Sequence, residues 1–228
     1  MLGVIGGMGP LATADFFRKL VDATPASEDD QHVPVLIHSV PQIPSRPAAI
    51  LRGGPSPLPA LLAARDRLMA ASATALAMPC NTAYHWYAQL IDGCPVPFLH
   101  IVDAIRDQLT VGSGQVGLIA TRATLAAGVY RRLEAEGFVL LSPDDTQYDH
   151  SVQPAIDAVK RGAPGEAGPL IEPAIESLLD GGAGVVILAC TELPIALDAI
   201  DSPLRTRCID STDALARACV RWWMHSRG

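Results

Sequence analysis

The chain has 228 residues, of which 49% are hydrophobic and 18% are charged, a composition typical of a globular protein and not of a disordered or fibrous one. Its 17 basic residues against 24 acidic ones give a formal net charge of −7, and no block of five like charges occurs. This pattern argues against a nucleic-acid or anionic-membrane partner and favours a small-molecule partner.

Short β-branched runs bounded by glycine or proline alternate along the chain with longer stretches rich in alanine and leucine. This alternation is typical of βαβ units around a mainly parallel sheet, so we predict an α/β fold. The predicted strands are, in chain order, Leu2–Ile5, Val33–Ser39, Thr74–Met78, Pro97–His100, Gln115–Ala120, Val139–Ser142, Gly184–Ala189 and Arg207–Ile209.

Apolar residues recur at helical spacing in two stretches between these strands, which predicts helices that lie against a sheet. We predict that both stripes belong to the core. The first comprises Phe16, Phe17, Leu20 and Val21, and the second comprises Leu125, Val129 and Leu133.

The two halves of the chain resemble each other in sequence. Residues 2–6 read LGVIG and residues 116–120 read VGLIA, and in each half a later apolar strand ends at a cysteine that polar residues follow. These cysteines are Cys80 and Cys190. We therefore predict two similar α/β/α domains with mainly parallel sheets, related by a pseudo-twofold axis, with the active site in the cleft between them.

The domain boundary is predicted at the turn Gly112-Ser113-Gly114. The N-terminal domain then covers residues 1–111 and the C-terminal domain covers residues 112–210. A C-terminal helix, residues 211–228, is predicted to pack back on the N-terminal domain.

Cys80 and Cys190 are each expected between a strand end and a helix start, where backbone N–H groups and the helix dipole favour the thiolate. The alternative is a packing role, since cysteine is among the most buried residue types. The internal repeat and the polar residues after both cysteines favour reactivity. Cys94, Cys208 and Cys219 lack this context and are predicted to be structural. The spacing of the 5 cysteines and 6 histidines favours neither a disulfide framework nor a metal site.

Two thiols that face one carbon atom can invert a stereocentre, because one removes a proton from one face while the other delivers a proton to the opposite face. The resulting carbanion needs cations and hydrogen-bond donors around the substrate carboxylate. Arg46, in the loop after the second strand, and Lys160, at the end of a predicted helix, are candidates, with solvated surface charge as the alternative. Glu192 either tunes the nearby thiol or the substrate ammonium, or is a favourable first-turn acid. The candidate donors, which helix N-capping explains almost as well, are Asn81, Thr82, Thr121 and Thr191.

The turn Gly6-Gly7-Met8-Gly9 lacks the spacing of a dinucleotide fingerprint, and no acidic residue ends the next strand near Ser39. We interpret it as a tight turn whose backbone N–H groups line a small cleft suited to a carboxylate. Glu192 and Pro194 interrupt the longest apolar tract, residues 183–197, so no membrane span is predicted. The N-terminus lacks the basic region of a signal peptide, and the expected location is cytoplasmic.

Three motifs carry a family resemblance: residues 6–13 read GGMGPLAT, residues 78–83 read MPCNTA and residues 190–194 read CTELP. Together they resemble the aspartate/glutamate racemase family, in particular the aspartate racemase branch of the cofactor-independent amino-acid racemases, over essentially the whole chain. The resemblance implies two α/β domains, a homodimer, an amino-acid substrate and a two-base mechanism that uses two cysteines without pyridoxal phosphate or metal.

The resemblance also implies roles for individual residues. Cys80 and Cys190 match the catalytic thiols, Arg46 matches the carboxylate-binding arginine, and Lys160 matches the substrate-binding lysine. The positions that match pocket-lining residues are Met8, Gly9, Asn81, Thr82, Thr121 and Thr191.

The chain departs from the family pattern at a few positions, which bear on side-chain selection and leave both thiols and both cations in place. Tyr84 stands where the family usually has histidine, and Pro47 stands where threonine is preferred. Ala123 and Ala189 replace common glycines. Aspartate or glutamate is the expected substrate; a broader amino-acid racemase, a hydantoin racemase and a maleate isomerase are the enzyme alternatives. A non-catalytic amino-acid-binding module is the alternative outside enzymes.

Overall fold

The computed structural model of the protein describes residues 1–109 and 114–226. The chain divides into two compact units: the first contains Met1–Ala104 together with the C-terminal segment from Thr212 onward, and the second contains Ile105–Ser211. The predicted boundary between residues 111 and 112 lies outside the described residues. Each unit is built around a parallel sheet, as the α/β prediction requires.

The first unit has a three-stranded sheet of β1 (Leu2–Gly6), β2 (Val35–Ser39) and β3 (Ala75–Ala77) in the order β2-β1-β3. Both pairings are parallel, so the three strands end at the same edge of the sheet. The helices that begin in this unit are α1 (Pro10–Ala23), α2 (Arg46–Arg52), α3 (Leu58–Ala70), α4 (Tyr87–Ile91) and α5 (Ile101–Arg106).

The predicted strand Pro97–His100 is wrong. Only one bridge forms there, between Leu76 and Phe98, and α5 begins directly after His100. Pro97 accepts a hydrogen bond from the Leu76 N–H through its carbonyl but has no N–H of its own to extend the ladder.

Helix α1 buries only half of its predicted stripe. Phe16 and Leu20 are fully buried, whereas Phe17 is 43% exposed and Val21 is 38% exposed. Adjacent residues in a helix lie about 100° apart around the axis, so a wide stripe cannot bury both edges against one sheet. Pro10 occupies the first position of this helix, where its missing N–H costs nothing.

Thr13 of α1 holds the loop between β1 and the helix. Its hydroxyl accepts a hydrogen bond from the Gly7 N–H and donates one to the Gly9 carbonyl, each at 2.9 Å. Gly7 has φ of +91°, and a Cβ atom there would lie 2.4 Å from the Val40 backbone nitrogen, so only glycine fits. The loop shape is therefore determined by one hydroxyl and one glycine.

We expect Thr13→Val to lower the free energy of unfolding by about 2 kcal/mol, because valine has the same shape but leaves the buried Gly7 N–H without an acceptor. Urea denaturation followed by circular dichroism measures the change. Thr206→Val is the control, since the exposed Thr206 hydroxyl only donates to the Pro203 carbonyl; an equal loss in both variants would contradict the role of Thr13.

The second unit has a four-stranded parallel sheet in the order β5-β4-β6-β7. Its strands are β4 (Gln115–Ala120), β5 (Val139–Leu141), β6 (Ala183–Ala189) and β7 (Cys208–Asp210). Its helices are α6 (Arg122–Ala126), α7 (Arg131–Ala135), α8 (Asp145–Gln147), α9 (Gln153–Lys160), α10 (Pro164–Asp180) and α11 (Glu192–Asp198). The next helix, α12 (Ser211–His225), belongs to the first unit from Thr212 onward.

The second predicted stripe does not form one continuous helix. Helix α6 ends at Ala126 and α7 begins at Arg131, with Gly128 at φ of +64° between them. That left-handed conformation favours glycine and ends a right-handed helix. Val129 and Leu133 are nevertheless buried as predicted.

The core of the second unit lies where α9, α10 and α11 pack against β4 and β6. Ile119 and Leu188 contribute to it from the strands, and Cys190 lies within the same cluster. In the described parts of the chain, no helix has both the length and the apolar character needed to cross a membrane.

Candidate functional site

In the first unit, three predicted site segments follow the three parallel strands. The loop Gly7–Gly9 follows β1, Arg46 follows β2, and Cys80 follows β3. Because β1 lies between β2 and β3, these segments emerge at neighbouring positions along one edge of the sheet. Ligands of open α/β sheets bind at this carboxyl edge.

The loop after β1 offers open space beside a rigid backbone. Met8 is buried, but no heavy atom lies within 4 Å of the position that a Cβ atom on Gly9 would occupy. Any side chain there would project into that space. The geometry therefore fits the prediction that backbone groups of this loop border a small ligand.

Arg46 is the first residue of α2, and its predicted loop position is wrong. Ser45 caps the helix by accepting a hydrogen bond from the Ala48 N–H at 3.3 Å, which draws Arg46 into the first turn. The Arg46 side chain is fixed at one end, because Nη1 donates to the carbonyls of Ile43 and Pro44, each at 3.1 Å.

The other edge of the Arg46 guanidinium carries a buried donor without a partner. Its Nε atom is buried and has no hydrogen-bond partner in residues 1–109 and 114–226, and no acidic side chain of those residues pairs with it. Nε and Nη2 form the planar fork that binds a carboxylate through two parallel hydrogen bonds. A buried donor without an acceptor is costly, so this edge is prepared for a ligand.

Cys80 lies at the junction of β3 and a short 3₁₀ helix, Asn81–Trp86. Its side chain is buried, and the two polar residues that follow, Asn81 and Thr82, are buried as well. Buried polar side chains at a strand end are unusual in a purely structural loop. The predicted junction of strand and helix is confirmed here.

In the second unit, Thr121 and Cys190 lie at neighbouring strand ends. Ala120 of β4 pairs in register with Ala189 of β6, so the next residue of each strand emerges at the same edge. Thr121 caps α6, because its hydroxyl accepts a hydrogen bond from the Thr124 N–H at 3.1 Å. Thr121 therefore has the helix-capping role that was the alternative to ligand binding in the sequence analysis.

The thiol of Cys190 contacts a buried carboxylate. Its Sγ donates to Oε2 of Glu192 at 3.0 Å, and the Thr191 hydroxyl donates to the same oxygen at 3.1 Å. All three side chains are buried. Glu192 thus faces the thiol, one of the two roles that its sequence position allowed.

The expectation that the surroundings of Cys190 favour its thiolate is wrong. Burial, followed by the negative charge of Glu192, raises the pKa of Cys190 well above its usual range. A short helix that starts beside the thiol cannot offset removal from water and a carboxylate in direct contact. At neutral pH Cys190 is therefore a proton donor.

Lys160 opposes this effect. It ends α9 as predicted, it is exposed, and its positive charge lowers the pKa of Cys190. Within the described part of the chain, it forms no ion pair with an acidic side chain. Its ammonium is near enough to act on the thiol and is available to an anionic ligand.

Sequence reasoning missed two tyrosines near this thiol. Tyr130 and Tyr148 are buried, burial raises the pKa of both phenols, and the negative charge of Cys190 contributes to each increase. The Tyr148 hydroxyl accepts from the Arg122 N–H at 2.9 Å and donates to Oε1 of Gln153 at 3.1 Å. Both residues lie outside the motifs, and no local pattern in the sequence marks them.

The remaining cysteines have structural surroundings, as predicted. Cys219 is fully buried on α12, and burial raises its pKa well above the usual range. Burial likewise raises the pKa of Cys208, on β7, to about 12. Cys94 is partly exposed, and its Sγ lies 3.4 Å from the Val96 carbonyl. Among the described residues, no cluster of histidine, cysteine or acidic side chains has the geometry of a metal site.

Comparison with known proteins adds an independent finding. Residues 5–219 match the profile of the Asp/Glu/Hydantoin racemase family. The broad specificity amino-acid racemase RacX of Bacillus subtilis is 26% identical over 231 aligned residues, which cover 98% of each chain. The aspartate racemase structure from Picrophilus torridus is 31% identical, with a TM-score of 0.84 over 97% of this chain and 93% of that one. Glutamate racemase from Thermus thermophilus shares the fold, with a TM-score of 0.66 at 23% identity over 99% of this chain and 81% of the other.

Proposed function

The chain belongs to the Asp/Glu/hydantoin racemase family, and from that premise we propose that it is an amino-acid racemase that interconverts L- and D-aspartate, or glutamate, without pyridoxal phosphate or metal. One observation carries the proposal. In the first unit Cys80 is buried just beyond the end of β3, which pairs with β1, and in the second unit Cys190 is buried at the end of β6, which pairs with β4. Polar residues follow each thiol. Two such thiols are what two-base inversion requires.

In the proposed reaction the two thiols act on one α-carbon. Because Cys190 is the proton donor, the proposal makes Cys80 the base that takes the α-proton of one enantiomer, and the electron pair of the broken C–H bond passes into the substrate carboxylate system. Cys190 then delivers its proton to the opposite face and becomes the thiolate. The reverse reaction begins from that state, with Cys80 as the proton donor. When Cys190 starts as a thiol instead, Glu192, which accepts its hydrogen bond, is placed to take its proton before the thiolate acts as a base.

The α-proton of an amino acid is weakly acidic, so the carbanion needs positive charge and hydrogen-bond donors around it. The free fork of Arg46 suits the α-carboxylate or the side-chain carboxylate, and the ammonium of Lys160 suits the other. This pair of cations is the reason to propose a dicarboxylic amino acid. The proposed pocket lining comprises Met8, Gly9, Asn81, Thr82, Thr121 and Thr191.

We expect Arg46→Gln to raise KM for aspartate about tenfold or more, because glutamine cannot form the charged bidentate pair. Steady-state kinetics with a coupled assay for the D-enantiomer measure the change. Arg52→Gln is the control, since Arg52 lies in the last turn of the same helix. Equal KM values for Arg46→Gln and the unsubstituted protein would contradict a binding role for Arg46.

A broader amino-acid specificity is the second candidate. It is supported by similarity along the full chain to a protein described as a broad specificity amino-acid racemase. Tyr84 and His85, which depart from the family pattern, lie in the 3₁₀ helix just after Cys80, where they bear on the shape of the pocket. A site that admits uncharged side chains would depend less on Lys160 than a site for aspartate.

Proton NMR in D₂O tests the proposal. The purified protein is incubated without added cofactor with L-aspartate, L-glutamate and a panel of neutral amino acids. Loss of the α-proton signal together with formation of the D-enantiomer identifies the substrate class. No exchange on any amino acid would contradict racemisation and direct the search to maleate, hydantoins or a binding role.

The proposal includes a homodimer, which the family resemblance implies, and a cytoplasmic location. Light scattering coupled to gel filtration tests the dimer, for which a mass of twice 24.0 kDa is expected. A monomer that racemises aspartate would remove the dimer from the proposal and leave the chemistry intact.

A further inference from the structure

The second unit contains a cavity of about 140 Å³ that the proposed reaction does not use. It lies beside β4, β5 and the two short helices α6 and α7. Its wall combines aliphatic side chains with one cation, one anion, one phenol and the two hydroxyls of Thr124 and Ser142. The other side chains are Leu118, Leu125, Leu140, Arg131, Glu134 and Tyr130.

The cavity lies on the opposite face of the sheet from the core that contains Cys190. Ile119 of β4 packs into that core together with residues of α9, α10 and α11. Leu118 precedes it on the same strand and lines the cavity. Successive side chains of a strand point to opposite faces, so Leu118 and Ile119 lie on different faces of the sheet. Tyr130 connects the two regions, since it lines the cavity and lies near enough to Cys190 for the charge of that residue to act on it.

The two charges at the rim are unpaired. Arg131 and Glu134 lie one turn apart on α7, yet they form no ion pair with each other, and neither has another salt-bridge partner in the part of the chain that the structure describes. The aliphatic part of the Arg131 side chain lies beside Gly128, since a Cβ atom placed on Gly128 would be 3.1 Å from Cδ of Arg131. Opposite charges at this spacing on a helix can pair, so two that do not pair leave both charges for a ligand.

The lining selects one class of ligand. Glu134 repels a phosphate or a dicarboxylate, and Arg131 repels a simple amine. A neutral hydrocarbon would fill the leucine-lined floor but would cover both charges without pairing them. A zwitterion with an aliphatic side chain satisfies all three features.

We propose that this cavity binds a small aliphatic α-amino acid, with its carboxylate on Arg131, its ammonium on Glu134 and its side chain against Leu118, Leu125 and Leu140. The size is suitable, since an apolar cavity of about 150 Å³ binds benzene. A branched side chain of three or four carbons is smaller than benzene and leaves the charged head group at the rim. This second amino-acid site differs from the proposed racemase site in the residues that hold the amino acid, and Tyr130 lies near both.

Isothermal titration of the full-length protein with L-valine tests the site. We expect a dissociation constant of about 1 mM in the unsubstituted protein and binding weaker by about tenfold or more in Arg131→Gln and in Glu134→Gln. Isobutyrate, which lacks the ammonium, and isobutylamine, which lacks the carboxylate, are expected to bind about tenfold more weakly than valine. Arg132→Gln is the matched control, since Arg132 is an exposed arginine of the same helix that does not line the cavity.

Three outcomes would overturn the inference. The first is no heat of binding with about 20 mM L-valine, far above the expected dissociation constant. The second is an affinity that is unchanged in both Arg131→Gln and Arg46→Gln, which would assign the bound valine to neither site. The third is an affinity that falls in Arg46→Gln and not in Arg131→Gln, which would assign the bound valine to the proposed racemase site. The titration measures binding directly, so a protein without racemase activity still gives a decisive result.

Discussion

Cys80→Ser and Cys190→Ser are each expected to slow complete L-to-D conversion of aspartate by about a thousandfold, because a serine hydroxyl is a far weaker acid than a thiol and cannot serve as the second base. The two variants should differ in the exchange that remains. In each, the surviving thiol can still remove the α-proton that faces it and return a deuteron to the same face. Exchange then occurs without inversion.

The pair of variants therefore makes a mirror-image prediction. In D₂O, one variant should exchange the α-proton of L-aspartate only, and the other should exchange that of D-aspartate only. Proton NMR with each pure enantiomer measures both rates. Cys94→Ser is the matched control, because Cys94 is a partly exposed cysteine outside the motifs, and it should retain activity in both directions. Exchange of the same enantiomer by both variants would refute two thiols acting on opposite faces.

Much of the fold follows from local sequence pattern. Seven of the eight predicted strands are present, and their ends differ from the predicted ends by at most two residues. Parallel strands buried on both faces give short apolar runs bounded by glycine or proline, which is a strong signal. The failure at Pro97–His100 has a local cause, since a proline without an N–H limits the pairing to one bridge.

The positions of the two thiols were also predictable, whereas their electrostatics were not. A cysteine at the end of an apolar strand, followed by polar residues, predicts a site at the carboxyl edge of a sheet. The pKa of Cys190, however, depends on its burial and on the direction of the Glu192 side chain. Both are set by how α9, α10 and α11 pack together, and no short sequence window contains that information.

The position of Arg46 was likewise predictable only in part. Its sequence position after β2 predicted the correct edge of the sheet, but the cap at Ser45 turned the expected loop into the first turn of α2. The hydrogen bonds from Nη1 to two backbone carbonyls hold the guanidinium and leave its other edge available. Such fixation depends on the path of the chain from Ile43 to Ser45, which residue type alone does not predict.

Glu192→Gln is expected to slow racemisation by about a hundredfold while it makes the Cys190 thiol more reactive. Glutamine keeps the shape of the side chain but removes the charge, so it cannot hold the proton of the thiol. The negative charge of Glu192 raises the pKa of Cys190, and its removal therefore lowers that pKa and increases the thiolate fraction at any pH below it. Burial remains, so the pKa should stay above the usual cysteine range.

The two effects move in opposite directions, which separates an electrostatic role of Glu192 from damage to the fold. The rate of Cys190 alkylation by iodoacetamide is measured by mass spectrometry between pH 7 and pH 10. This rate should begin to rise at a lower pH in Glu192→Gln than in the unsubstituted protein. Glu172→Gln is the control, because Glu172 is a partly buried carboxylate of the same unit that accepts a hydrogen bond from Ser202 at 2.6 Å, away from both thiol motifs. If turnover falls and the pH dependence of alkylation does not move, the carboxylate contributes to structure and not to the protonation state of the thiol. If the alkylation curve moves and turnover is unchanged, Glu192 sets the pKa of Cys190 but takes no part in proton transfer.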